Sequence, residues 1–269
     1  MNSRDIRGAG LSRPAARVTV VCGALAATLI AVFLAGPRLH TLTNAGYADN
    51  RPFLGVPNLL NVASNFAFLL VGAAGLALCA AGEGPRPRAS WAAFYAGLLL
   101  TSLGSAWYHL APSDATLVWD RLGMTVAFVA LFIAVLQQST GVSLQRYVLI
   151  PALCAGTASV LWWRATGDLR PYAWVQAAPL AGVVLSVACG WLPAPLRRAL
   201  AWALVLYVVA KLAETFDARI LRLTGALLSG HTLKHLLAAA SAAVILAAQY
   251  RHPAGIAGAS AESHAPRGG

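Results

Sequence analysis

Apolar runs long enough to cross about 30 Å of hydrocarbon recur along most of this 269-residue chain, and nothing else in it constrains the fold as strongly. Inside a bilayer every backbone N–H and C=O must be satisfied by the chain itself, so runs of this length become helices. They cover residues 18–36, 57–81, 90–111, 116–138, 145–163, 173–191, 197–215 and 230–250. Composition agrees: 58% of the residues are hydrophobic and 11% charged, where a soluble domain carries about 25% charged. The expected fold class is all-α, a polytopic membrane protein without internal repeats. Pro57, Pro112 and Pro193 fall near run ends, whereas Pro151 and Pro179 fall inside runs and predict kinks.

The flanking segments suggest a topology. Arg4, Arg7, Arg13 and Arg17 precede the first run, a pattern also found in signal peptides. Because 18–36 is longer than the usual h-region of about 7–15 residues, an uncleaved N-terminal helix is expected behind a basic cytoplasmic segment, 1–17. Residues 251–269, rich in Ala, Gly, Ser and Pro, are expected to form a disordered tail. With the N-terminus cytoplasmic, inner segments carry eleven arginines (4, 7, 13, 17, 86, 88, 146, 197, 198, 251, 267) and outer loops six (38, 51, 164, 170, 219, 222). That bias follows the positive-inside rule and suits a bacterial inner membrane. Trp107, Tyr108, Trp119, Trp162, Trp163 and Trp174 would then form an outer aromatic belt.

The net charge of +11 resides mostly in these loops and tails, where it sets topology and attracts anionic headgroups. No basic stripe interleaved with aromatics is present, which argues against a nucleic-acid partner. Cys22, Cys79, Cys154 and Cys189 lie in apolar runs without CxxC spacing and read as small buried hydrophobes.

His109, Asp120, His231 and His235 are ionisable residues within apolar runs, and the expected topology brings all four to the outer end. An Asp at the bilayer centre costs about 2.5–3.5 kcal/mol even on the insertion scale, so something must compensate it. His231 and His235 share a helix face at i and i+4. Taken alone, the pair fits interfacial histidines better than a metal site. His109 and Asp120 at the same depth reverse that balance, since three imidazoles and a water are a recurrent catalytic zinc set.

Other polar residues stay open between structural and functional use. Ser105, one turn before His109, fits helix packing or a hydrogen bond to the site. Asn61, Ser64 and Asn65 make a polar face of the sort that joins membrane helices. Lys211 and Glu214 read as an intrahelical pair. Arg121 and Lys234 either snorkel to the interface or meet a lipid headgroup.

Gly104-Ser105-Ala106-Trp107-Tyr108-His109, Leu117-Val118-Trp119-Asp120-Arg121 and His231-Thr232-Leu233-Lys234-His235, in that order, resemble the alkaline ceramidase family. That family belongs to a wider superfamily of membrane hydrolases (CREST) that includes progestin/adiponectin-type receptors. Asn61-Val62-Ala63-Ser64-Asn65 is similar to a further motif of the family, and the likeness runs from about residue 45 to 250. It implies a seven-helix ceramidase-like bundle over 45–250, with 18–36 as an added transmembrane helix.

The resemblance implies an intramembrane zinc-dependent hydrolase that cleaves a ceramide or related lipid amide to a long-chain base and a fatty acid. His109, His231 and His235 would hold Zn²⁺, Asp120 would act as general base, and Ser105 would donate to the oxyanion. The family's Ca²⁺ site is acidic; here only Asp49, Asn50 and Asn58 stand in its place, so tight Ca²⁺ binding is not expected. The alternative within the superfamily is a non-catalytic lipid-binding receptor or sensor. A transporter would spread its carboxylates across the bilayer depth, which this chain does not do.

Overall fold

The computed structural model describes residues 13–35, 46–82 and 86–252. Ten helices follow in order: α1 (Arg13–Leu34), α2 (Leu59–Ala63), α3 (Phe66–Ala80), α4 (Arg88–Leu110), α5 (Asp114–Thr140), α6 (Leu149–Thr166), α7 (Arg170–Ala188), α8 (Ala194–Thr215), α9 (Asp217–Leu223) and α10 (Gly230–Arg251). The described residues contain no strand, only an isolated bridge between Phe53 and Val56. The all-helical expectation holds. The expected tail from residue 253 on, most of the basic segment 1–17 and the outer-loop Arg38 lie outside the described residues; Arg251, expected to begin the tail, ends α10 instead.

Helices occupy all eight expected places, but fewer qualify as membrane spans. Five are long and apolar enough to cross a bilayer, or six if α8 and α9, bent by 85°, form one span. α4 and α6 fall outside that set. In α4 the reason is physical: Ser90, Thr101, Ser102, Ser105 and His109 are all buried, so its polar residues turn inward and lower an average that ignores direction. In α6, Trp162, Trp163, Arg164 and Thr166 crowd one end of an 18-residue helix.

Local chemistry sets several ends. Ser113 and Thr116 form a reciprocal capping box at the start of α5, and Ser229 accepts the Thr232 N–H at the start of α10. Pro151 proves to be in the first turn of α6, where a missing N–H costs little, rather than inside the helix as expected; Pro179 is interior to α7.

Two interactions orient the bundle. Arg17, near the start of α1, donates to the Ser139 carbonyl near the end of α5. Tyr95 Oη of α4 donates to Gln249 Oε1 near the end of α10, 2.6 Å away. The start of α5, the end of α4 and the start of α10 therefore share the opposite end. α1 packs on α5 and α7, with Trp174 Nε1 donating to the Leu25 carbonyl, but little of its length is buried. It is an outer helix.

The main core includes Trp91, Tyr95, Ile133, Leu196, Leu200 and Ile245, each under 3% exposed. A smaller cluster, Tyr108, Leu117, Val160, Trp163 and Tyr172, closes the end near His109. Leu103, Trp202, Val208 and Leu212 are among the large apolar side chains left exposed, an outer surface suited to lipid rather than water. Three cysteines correct the sequence expectation. Cys22, Cys154 and Cys189 are exposed and only Cys79 is buried, because periodicity does not reveal which face of an all-apolar helix turns outward.

Candidate metal centre

His109 sits in the last turn of α4, and His231 and His235 occupy the first two turns of α10. The three imidazoles are buried, and one ligand nitrogen from each lies within 4.8 Å of the others. Two glycines allow this meeting. A Cβ on Gly104 would stand 2.4 Å from the Trp119 carbonyl oxygen, so α4 and α5 can touch backbone to backbone between His109 and Asp120 only without one. A Cβ on Gly230 would stand 2.0 Å from the Ala213 carbonyl oxygen; its absence lets α10 begin against α8.

The polar face of α2 fastens the two histidine-bearing helices. Asn58 Nδ2 donates to the His109 carbonyl at 2.8 Å, and Thr232 Oγ1 donates to Asn61 Oδ1 at 2.8 Å. Ser102 Oγ of α4 donates to the Asn65 carbonyl at 2.8 Å. Asn61, Ser64 and Asn65 thus join helices, as their residue types suggest, and Ser64 does more. Its hydroxyl lies 3.0 Å from the Asn61 carbonyl and 2.8 Å from His235 Nδ1. With the hydroxyl proton donated to the Asn61 carbonyl, His235 Nδ1 is the donor to Ser64 Oγ. Nε2 of His235 then carries a free electron pair.

His109 Nε2 and His231 Nε2 lie 3.3 Å apart. Two imidazole electron pairs cannot face each other at that distance without a proton or a cation between them. A tetrahedral ion bound at about 2.0–2.1 Å to each nitrogen requires nitrogens about 3.3–3.4 Å apart. The cluster therefore fits a metal ion of zinc's size.

Asp120 is in the second turn of α5 and is not one of the three residues in the ligand group. It is half-buried, with Ser105 beside it and Lys234, Arg121 and Glu214 as the surrounding charges. Lys211 and Glu214 pair as expected, and Lys234 joins them at 2.7 Å. Lys234 therefore turns inward. Arg121 also packs inward, its guanidinium 3.7 Å over the Trp163 ring and 5.0 Å from that of Tyr172, with Nη1 buried and unpartnered. Snorkelling describes neither, because each has a partner more specific than the interface.

Sequence reasoning missed two residues, Asp217 and Tyr47, and the contact of a third, Glu214, with His231. Asp217 Oδ1 accepts the His231 backbone N–H at 2.7 Å, satisfying a free donor at the start of α10, while Oδ2 accepts the Ala48 N–H at 2.9 Å. That second bond holds Tyr47, whose ring packs 4.7 Å from His109 and 4.3 Å from His231. Glu214 Oε1 stands 3.9 Å from His231 Nδ1. The scarcity of carboxylates, nine Asp and Glu in all, was the available signal for Glu214 and Asp217; Tyr47 had none.

Asp49, which stands where the resembled family has its Ca²⁺ site, is clasped by Arg51 through Nε at 2.7 Å and Nη2 at 2.9 Å. The guanidinium holds its carboxyl below the usual aspartate range. Trp107 and Trp119 stack at 5.9 Å on the exterior, and Trp162 is also exposed, whereas Tyr108 and Trp163 are buried and leave the expected belt.

Fold and site together define an all-helical protein, several of whose helices could span a membrane, with a buried three-histidine cluster able to hold a metal ion. No family model, curated protein or solved structure matches the chain.

Proposed function

We propose that this is a multi-pass membrane hydrolase with a zinc centre that cleaves a ceramide-like lipid amide, its active site facing the outer leaflet. The observation that carries the reading is the 3.3 Å separation of His109 Nε2 and His231 Nε2, with His235 completing the set and Asp120 outside it. Bound zinc supplies a Lewis acid and lowers the pKa of water in its open position to about 7.

Asp120 takes the proton from the attacking water and returns it to the departing amine. Ser105 has a single hydroxyl proton. It aligns Asp120 in the resting site and turns toward the acyl oxygen as negative charge develops there. Tyr47 covers His109 and His231 and limits the approach of bulk water. A lipid whose amide lies near the headgroups reaches this depth without leaving the bilayer. The inward ionisable residues His109, Asp120, Glu214, His231, Lys234 and His235 gather at one end of the bundle, which favours hydrolysis at an interface over transport across the membrane.

The test is elemental analysis and fluorescent-ceramide turnover with the same purified protein. About one zinc per chain and turnover that disappears in His231→Ala/His235→Ala support the reading. Active wild-type protein without a transition metal overturns it. Zinc and lipid binding without turnover favour the receptor-like alternative.

A further inference from the structure

Glu214 approaches His231 from the ring nitrogen opposite the ligand cluster. His231 Nε2 faces His109, while its Nδ1 lies 3.9 Å from Glu214 Oε1. That distance exceeds a hydrogen bond and leaves an electrostatic contact. The same oxygen accepts from Lys234 Nζ at 2.7 Å, and Oε2 accepts from Lys211 Nζ. Two lysines on different helices fix the carboxylate, one on α8 and one a turn beyond His231 on α10. One lysine would suffice to neutralise it. Gly230 is what allows the approach, because α10 can start against the end of α8 only without a Cβ there.

We infer that Glu214 is a positioning residue for the metal centre, acting through His231: the carboxylate clamped by Lys211 and Lys234 keeps the proton on Nδ1 and leaves Nε2 as the donor to the ion. This rests on the reading that the three histidines hold zinc. Ser64 does the same for His235 by accepting its Nδ1–H, so two ligands are oriented from behind by different chemistry, a hydroxyl and a carboxylate. Partners of this kind fix tautomer and ring angle, and their loss typically lowers metal affinity by about 10–100-fold.

The experiment titrates the purified full chain with zinc alone against a chelating indicator, and records the visible spectrum of the cobalt-substituted protein. Glu214→Gln keeps size and one accepting oxygen for a lysine but removes the charge. It should bind zinc about tenfold or more weakly and shift the cobalt bands while melting near wild type. Glu214→Gln combined with Lys211→Met restores the charge count and should remain weak. Recovery of affinity in that double variant would reduce Glu214 to a counter-charge and overturn the inference. Wild-type affinity and an unchanged cobalt spectrum in Glu214→Gln overturn it as well, leaving the zinc reading intact. Wild-type protein that binds no zinc removes the proposed function and this role together.

Discussion

The site divides into groups that would hold an ion and groups that would act beside it, and single substitutions separate the two. Asp120→Asn preserves size but cannot take up a proton at neutral pH. Steady-state turnover should fall by about 10²–10⁴, with zinc content and melting temperature near wild type. His109→Ala should lose zinc and activity together. If Asp120→Asn loses zinc as completely, Asp120 is a ligand and the base lies elsewhere. Ser64→Ala leaves His235 Nδ1 without its acceptor, and a chelator competition should show zinc affinity lower by about 10–100-fold. The clustering of the three histidines was legible because ionisable side chains stand out in apolar runs and fall at a helical spacing. The contacts of Glu214 with His231 and of Asp217 with Ala48 were not, since each joins different elements of the fold.

Between elements, small residues and amides determine how closely helices approach. Gly104→Val would drive its side chain into the Trp119 carbonyl and separate α4 from α5. A change of this kind costs about 1–3 kcal/mol or more, so the melting temperature in detergent should drop and metal occupancy with it. Full stability in Gly104→Val would mean that the close approach of the two helices is not required. The helical periods were readable almost everywhere, yet two details escaped. The hydropathy of α4 is depressed by residues it buries, and α9 is a short helix after an 85° bend that no apolar run announces. Hydropathy averages over a helix's circumference, so it registers length and loses direction.

For the molecule as a whole, eight helical passes would return the chain to the side on which it started. Reporter fusions before Arg13 and after Arg251 should both read cytoplasmic, in keeping with the eleven-to-six arginine bias. An external reading at the C-terminus alone would show that one of the eight places, α4 or α6 foremost, does not cross. The sequence by itself determined the all-helical class, the positions of the long helices and the identity of the three clustered histidines. These follow from backbone desolvation and from side-chain spacing along one helix, both local properties. Only the tertiary structure decided that Ser64 orients His235, that Asp217 joins the start of α10 to the Tyr47 segment, and that Arg121 and Lys234 turn inward. Those contacts link residues far apart in the chain. Their distances depend on how closely the backbones pack, which one-dimensional spacing does not encode.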